Sequence, residues 1–218
     1  MIRRHLVLFA REPRLGSGKR RLARDIGAVA ALRFERLMLA RLLRRLGRDN
    51  RWRVCLAVTP DQALHRKRLW PSRIPVAGQG GGDLGKRMRR ALAACPPGPA
   101  VLVGTDIPAL GPEHIAEAFR LLGKHDLVFG PAADGGFWLV GARRSPRLPP
   151  LFGRVRWSSP YALEDALANL PRSVSVDFAA RLEDVDDAAA YRRLRRGAGS
   201  DRLLASVYPL TYNDTCGI

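Results

Sequence analysis

The 218 residues are enough for one well-buried core and short for two domains that each carry a mixed sheet. Hydrophobic residues make up 46%, and no apolar run approaches the roughly 18 to 20 residues that cross a bilayer, which argues against a transmembrane segment. The net charge of +18 raises nucleic acid as a partner, but only Lys19, Lys67, Lys86 and Lys124 are lysines and the arginines are scattered along the chain; solvated surface is the reading taken here, with contact to a polyanion or an acidic membrane as its rival.

The first ten residues place two arginines before a short apolar run, superficially like a signal peptide. Charged residues from Arg11 onward interrupt the run, so His5 to Phe9 reads as a first buried strand. The stretch that follows, Ala10 to Leu22, puts Gly16 and Gly18 beside Lys19 and Arg21. In an open α/β sheet, ligands bind beyond the carboxyl ends of strands, where glycine backbone approaches phosphates and cations neutralise them. The stretch fits neither a Walker loop nor a dinucleotide fingerprint, and a solvated basic turn accounts for it equally well.

Leucines 32, 39, 42, 43 and 46 recur at helical spacing with arginines opposite, predicting a helix over Val29 to Leu46 that stops at Gly47. A strand over Arg53 to Val58 follows. The flexible run Gln79 to Gly85 then carries Gly82, Asp83 and Gly85, with Asp83 placed to cap a helix over Leu84 to Ala94 and backbone amides free to contact a nucleobase or sugar.

The strand Ala100 to Gly104 ends abruptly in Thr105 and Asp106. A carboxylate at a strand's end faces the binding crevice, and such an oxygen ligand suits Mg2+ or Mn2+ bridging a substrate's phosphates, so Asp106 is the first metal candidate; a helix cap is the competing account. A helix over Pro112 to Leu122 leads to strands over Asp126 to Gly130 and Phe137 to Val140. Between those strands, Asp134, Gly135 and Gly136 form either a hairpin turn or a tight loop with room for a ligand.

A helix over Pro160 to Leu170 and a strand over Ser173 to Val176 precede the acidic run Glu183, Asp184, Asp186 and Asp187. Close carboxylates repel unless a cation or basic residue separates them, which makes a second metal contact reasonable, while capping of the helix from Asp187 to Leu194 by Asp186 or Asp187 competes. The β-then-α rhythm implies a largely parallel sheet covered by helices in a single domain, residues 1–196, with residues 197–218 a tail of no trusted period. Cys55, Cys95 and Cys216 form no Cys-x-x-Cys pair, which points away from a disulfide framework and toward a reducing, cytoplasmic setting. His5, His65, His114 and His125 lie outside the acidic and glycine motifs and read as surface or packing residues rather than general bases.

In order, Lys-x-Arg-Leu (Lys19, Arg21, Leu22), Gly-Asp-Leu-Gly (82–85), Gly-Thr-Asp-Ile-Pro-Ala-Leu (104–110), Gly-Pro-Ala-Ala-Asp-Gly-Gly (130–136), Trp157-Ser158 and Asp-Val-Asp (184–186) resemble a bacterial glycosyltransferase-A-like family within the nucleotide-diphospho-sugar transferases. The family is often described as radical-SAM-associated transferases. The resemblance is collinear from about Leu6 to Leu194. It implies a Rossmann-like, three-layer α/β/α fold with a mostly parallel mixed sheet, a nucleotide or nucleotide sugar bound at the carboxyl edge, a small-molecule acceptor, and Asp106 as metal ligand with Asp184 or Asp186 as a second. More distantly the pattern is similar to cofactor guanylyltransferases, which keeps nucleotidyl transfer beside glycosyl transfer. A non-enzymatic polyanion-binding protein is the third expectation, and the acidic motifs count against it. Two positions depart from the family pattern: Arg20 stands where threonine is usual, and Phe137 where tyrosine is usual.

Overall fold

The computed structural model describes residues 3–144 and 147–197. The expected tail past residue 197, and Cys216 with it, lie outside the described residues. By packing, the chain divides into two compact units, one of Met1–Glu12 with Met38–Asp184, the other of Pro13–Leu37 with the chain from Val185.

The first unit is a seven-stranded sheet: β1 (His5–Arg11), β2 (Arg53–Thr59), β3 (Val76–Gly78), β4 (Ala100–Val103), β5 (Leu127–Pro131), β6 (Phe137–Ala142) and β7 (Val176–Phe178), ordered β3-β2-β1-β4-β6-β5-β7. All neighbours pair in parallel except β6, which runs antiparallel to both β4 and β5. The β5–β6 connection is thus the hairpin that Asp134-Gly135 predicts, and the sheet is mixed but mostly parallel, as expected.

The period-two alternation of a strand sorts the core into two layers. Leu6, Leu8, Leu56, Val58, Val101 and Val103 face one side, where they bury Leu39, Leu42 and Leu46 of the long helix α2 (Ala28–Gly47) and Ile115, Ala118 and Phe119 of α4 (Pro112–Leu121). Val7, Ala57, Leu102, Phe129 and Val140 face the other, against Met88 and Leu92 of α3 (Leu84–Ala94) and Ala166 of α5 (Ala162–Ala168). Helices on both faces of the sheet give the three-layer α/β/α arrangement.

The second unit holds α1 (Arg20–Ile26), the first half of α2, and α6 (Ala188–Gly197). Leu22, Ala31, Phe34, Val185, Ala188, Ala190 and Tyr191 are buried in it, and Phe34 meets Tyr191 edge to face at 5.6 Å.

Three elements differ from expectation. Strand β3 and helix α1 were not anticipated: β3 has three residues and no apolar run, and α1 buries only Leu22 beneath a basic surface. Strand β7 starts at Val176 instead of Ser173, because the Ser175 carbonyl accepts from both Asp126 and Leu127 and its hydroxyl donates to Asp126, an irregular junction rather than a ladder.

Candidate active site

Strands β1, β2, β3, β4, β5 and β7 all run the same way, so the loops after Arg11, Thr59, Gly78, Val103, Pro131 and Phe178 share one edge of the sheet, and β6 begins there at Phe137. The sheet therefore gathers most of the sequence motifs of the first unit: Ala10, the run from Gln79 to Gly85, Thr105 with Asp106, the turn Asp134–Gly136, and Asp184. This is where open α/β sheets bind ligands.

Asp106 and Asp184 bring carboxylate oxygens within 4.8 Å of each other. Both side chains are half-buried or partly exposed, and an all-oxygen donor set at this spacing suits a hard divalent cation. The capping explanation for Asp106 fails, since α4 takes Gly111 as its N-cap and the Gly111 amide donates to His114 Nδ1 at 3.1 Å. In the second unit, Asp186 forms an ion pair with Lys19. Capping of α6 falls to Asp187, whose Oδ1 accepts from the Ala190 amide at 2.8 Å.

Lys19 heads α1 with a left-handed backbone (φ 38°), and its side chain is 9% exposed. The preceding turn is tight: the Ser17 amide and hydroxyl both donate to the Arg14 carbonyl. Gly16 has φ +75°, which favours glycine for reasons internal to the unit, whereas a Cβ on Gly18 would meet only the mobile end of the Glu35 side chain. Arg21 is exposed.

The glycine run after β3 is braced from three directions. Gln79, 1% exposed, donates through Nε2 to the carbonyls of Ala10 (3.0 Å) and Ala57 (2.8 Å), and its Oε1 accepts from Arg87. Arg90 donates to the carbonyls of Gln79 and Gly81, and Asp61 accepts from the Gly80 amide at 3.0 Å. Burial first, then the nearby Arg11, pushes the Arg87 guanidinium pKa down, and its Nε is buried without a hydrogen-bond partner. Asp83 caps α3 as expected, accepting from the Lys86 amide at 2.8 Å, and Gly82 holds φ +100°. Gly85 is buried in packing: its Cβ would collide with Phe152 and Trp157. The bracing roles of Gln79, Arg87, Arg90 and Asp61 are what sequence reasoning passed over; Gln79 stood at the head of the glycine run, but its partners lie far along the chain.

In the β5–β6 connection, Asp134 Oδ1 accepts from the Gly136 amide at 2.9 Å, so this carboxylate stabilises its own turn. Thr105 is half-buried beside Asp106.

Comparison with known proteins places this architecture. Residues 42–159, more than half of the chain, match the model of a family described as uncharacterized protein conserved in bacteria (DUF2064). No curated protein matches. Among solved structures, a proposed nucleotide-diphospho-sugar transferase from Desulfovibrio desulfuricans G20 is similar with a TM-score of 0.82 at 25% identity, over 94% of this chain and 95% of that one. The Rv0371c protein of Mycobacterium tuberculosis H37Rv, solved in complex with manganese, gives 0.51 at 18% identity over 88% and 97%. An inositol-1-phosphate CTP transferase from T. maritima gives 0.54 at 14% identity over 97% and 98%. The last two share the fold. Among the described residues, no helix is long and apolar enough to cross a membrane.

Proposed function

The chain belongs to the DUF2064 family of bacterial proteins, and from that premise we propose that it is a metal-dependent transferase acting on a nucleotide-activated donor, with glycosyl transfer from a nucleoside-diphosphate sugar as its reaction. The observation that carries the reading is the approach of the Asp106 and Asp184 carboxylates to within 4.8 Å at the carboxyl edge of the sheet. Asp106 and Asp184 would hold Mg2+ or Mn2+. A cation held there supplies charge neutralisation to a departing diphosphate.

The protein's own groups do the remainder by position and charge. The braced backbone from Gly80 to Asp83 offers a fixed polar surface to the nucleoside. Lys19 and Arg21 neutralise phosphate, and Asp186 orients the Lys19 ammonium. In the reaction an acceptor hydroxyl oxygen bonds to the anomeric carbon as the carbon–oxygen bond to the diphosphate breaks; nucleoside diphosphate leaves, and the hydroxyl proton passes to water.

Likeness in fold to a CTP transferase supports a second reading. In it, a phosphorylated acceptor attacks the α-phosphate of a nucleoside triphosphate and pyrophosphate leaves through the same site.

The test is thermal stabilisation of the purified protein by a panel of nucleoside triphosphates and nucleotide sugars, with and without Mg2+ or Mn2+, on wild type and Asp106→Ala. A metal-dependent shift that the variant loses is the expected result, and identification of the released product separates diphosphate from pyrophosphate. Absence of a shift with every nucleotide would sink both readings.

A further inference from the structure

The segment between β6 and α5 is seated with unusual care for a connection. Gly135 (φ +84°) lies so close to it that a Cβ there would sit 2.0 Å from the Pro160 carbonyl oxygen. On its other side a Cβ on Gly85 would sit 2.6 Å from Phe152 and 2.7 Å from Trp157. The glycines of two separate motifs are thus cleared of side chains so that one segment can dock. Phe152 (φ 61°) and Ser158 (φ 60°) hold left-handed backbone, which non-glycine residues keep only where their surroundings enforce it. Arg156 supplies such enforcement with a bidentate contact to Asp165 of α5 (2.8 and 2.7 Å), and Asn169 donates to the Arg154 carbonyl at 3.1 Å.

What this construction displays is aromatic. Phe137 follows directly on the Asp134–Gly136 turn, with Phe152 stacked on it at 5.9 Å and 4°. Trp157 meets both edge-on, at 6.3 and 5.6 Å, and Phe129 supports Phe137 from below at 5.2 Å. Phe129 and Phe152 are buried, but Phe137 and Trp157 are only half-buried; in the same segments Tyr161, with the Arg156 guanidinium 4.2 Å from its ring centroid, is 47% exposed and Leu84 37%. Phe178, 46% exposed, is in register with Phe129 and continues the same face. Phe137 and Trp157 pack against the buried Phe129 and Phe152 yet keep part of their surface open, where the glycine loop ends at Gly85.

We propose that this aromatic wall is the acceptor subsite and that the acceptor presents an aromatic or flat apolar ring beside the hydroxyl it offers. The inference rests on the transferase reading above. The nucleoside needs polar partners, which the backbone from Gly80 to Asp83 provides, whereas the wall offers ring faces and edges that suit a planar apolar group.

Isothermal titration of the full chain with 4-nitrophenyl β-D-glucopyranoside and with methyl β-D-glucopyranoside tests the wall directly. The aryl glycoside should bind at least tenfold tighter. Trp157→Leu should reduce that preference to twofold or less, and Tyr161→Ser, at an exposed position that folding tolerates, should reduce it severalfold. Equal binding of the two glycosides, binding of neither, or a preference unchanged in both variants overturns the proposal. The nucleotide-induced thermal shift is read on the same samples: a shift without aryl preference sinks the wall alone, and an aryl preference with no shift sinks the transferase reading and the acceptor assignment with it.

Discussion

The Gln79 side-chain amide donates to the Ala10 carbonyl at 3.0 Å, tying the glycine loop after β3 to the end of β1 across the intervening strand β2. The same nitrogen reaches Ala57 of β2, so one side chain ties the glycine loop to two adjacent strands. Gln79→Leu keeps the volume and removes every one of these contacts, leaving two buried carbonyls and the Arg87 guanidinium short of partners. Unsatisfied buried polar groups cost about 1 to 3 kcal/mol each, and relaxation recovers part of it, so a loss of about 2 to 4 kcal/mol is expected. Urea unfolding measures it, and a loss under about 1 kcal/mol would show that the brace is dispensable.

Gly135 and Gly81 stand in neighbouring glycine motifs but make opposite predictions. An alanine at 135 meets both a positive φ and the Pro160 carbonyl oxygen, whereas one at 81 meets nothing within 4 Å and has no left-handed backbone to strain. Gly135→Ala should destabilise by about 2 to 4 kcal/mol and Gly81→Ala by less than about 1. Paired thermal melts decide the matter, and similar losses in the two variants would contradict the geometry.

The pattern of legibility follows from how far each interaction reaches. Strands such as Ala100–Val103 announce themselves as apolar runs, and α3 is bounded by its own cap at Asp83, so local chemistry suffices. Asp106 was visible because a carboxylate ending a buried strand has few other purposes. Gln79 was in plain sight, but its role depends on carbonyls 69 and 22 residues away and on a helix that follows, which no local period encodes. Gly85 shows the converse failure: its place in a glycine-rich run suggested ligand approach, while its contacts are with Phe152 and Trp157, more than sixty residues on. Helix α1 escaped because arginine-rich surface hides a one-leucine apolar face.

His5 sets an acid limit on stability. It is 6% exposed at the start of β1, and its Nε2 is buried without a partner. Burial is the main force lowering its pKa below 6.5; the Pro97 carbonyl opposes this, and Arg144 and Arg3 add to it. A histidine depressed in the folded state binds fewer protons there than when unfolded, so stability rises with pH across this window. Stability should be complete above the unfolded value of 6.5 and fall as pH drops from there toward the folded pKa. His5→Leu should flatten the dependence in that window while leaving the loss at lower pH. That later loss belongs to carboxylates such as Asp165, which Arg156 holds at about 2 and whose contribution disappears as pH falls from 3.8 through that value. Urea midpoints between pH 7.5 and 5 provide the check, and an unchanged slope in the variant would remove His5 as the cause.

The acidic run before α6 offers a separation of metal binding from helix capping within four residues. Asp184 brings its carboxylate to Asp106, while Asp187 accepts from the Ala190 amide. Asp187→Ala removes an N-cap, and should cost about 1 kcal/mol in the absence of metal while leaving the increment in melting temperature on adding MnCl2 intact. Asp184→Ala should do the reverse, with the Mn2+ increment reduced and Mn2+ affinity weakened at least about tenfold, or ~1.4 kcal/mol. Titration of Mn2+ followed by paramagnetic resonance gives the affinities, and melts with and without the ion give the increments. If Asp187→Ala abolished the increment, or Asp184→Ala left it whole, the cation would have to be held by a different set of carboxylates.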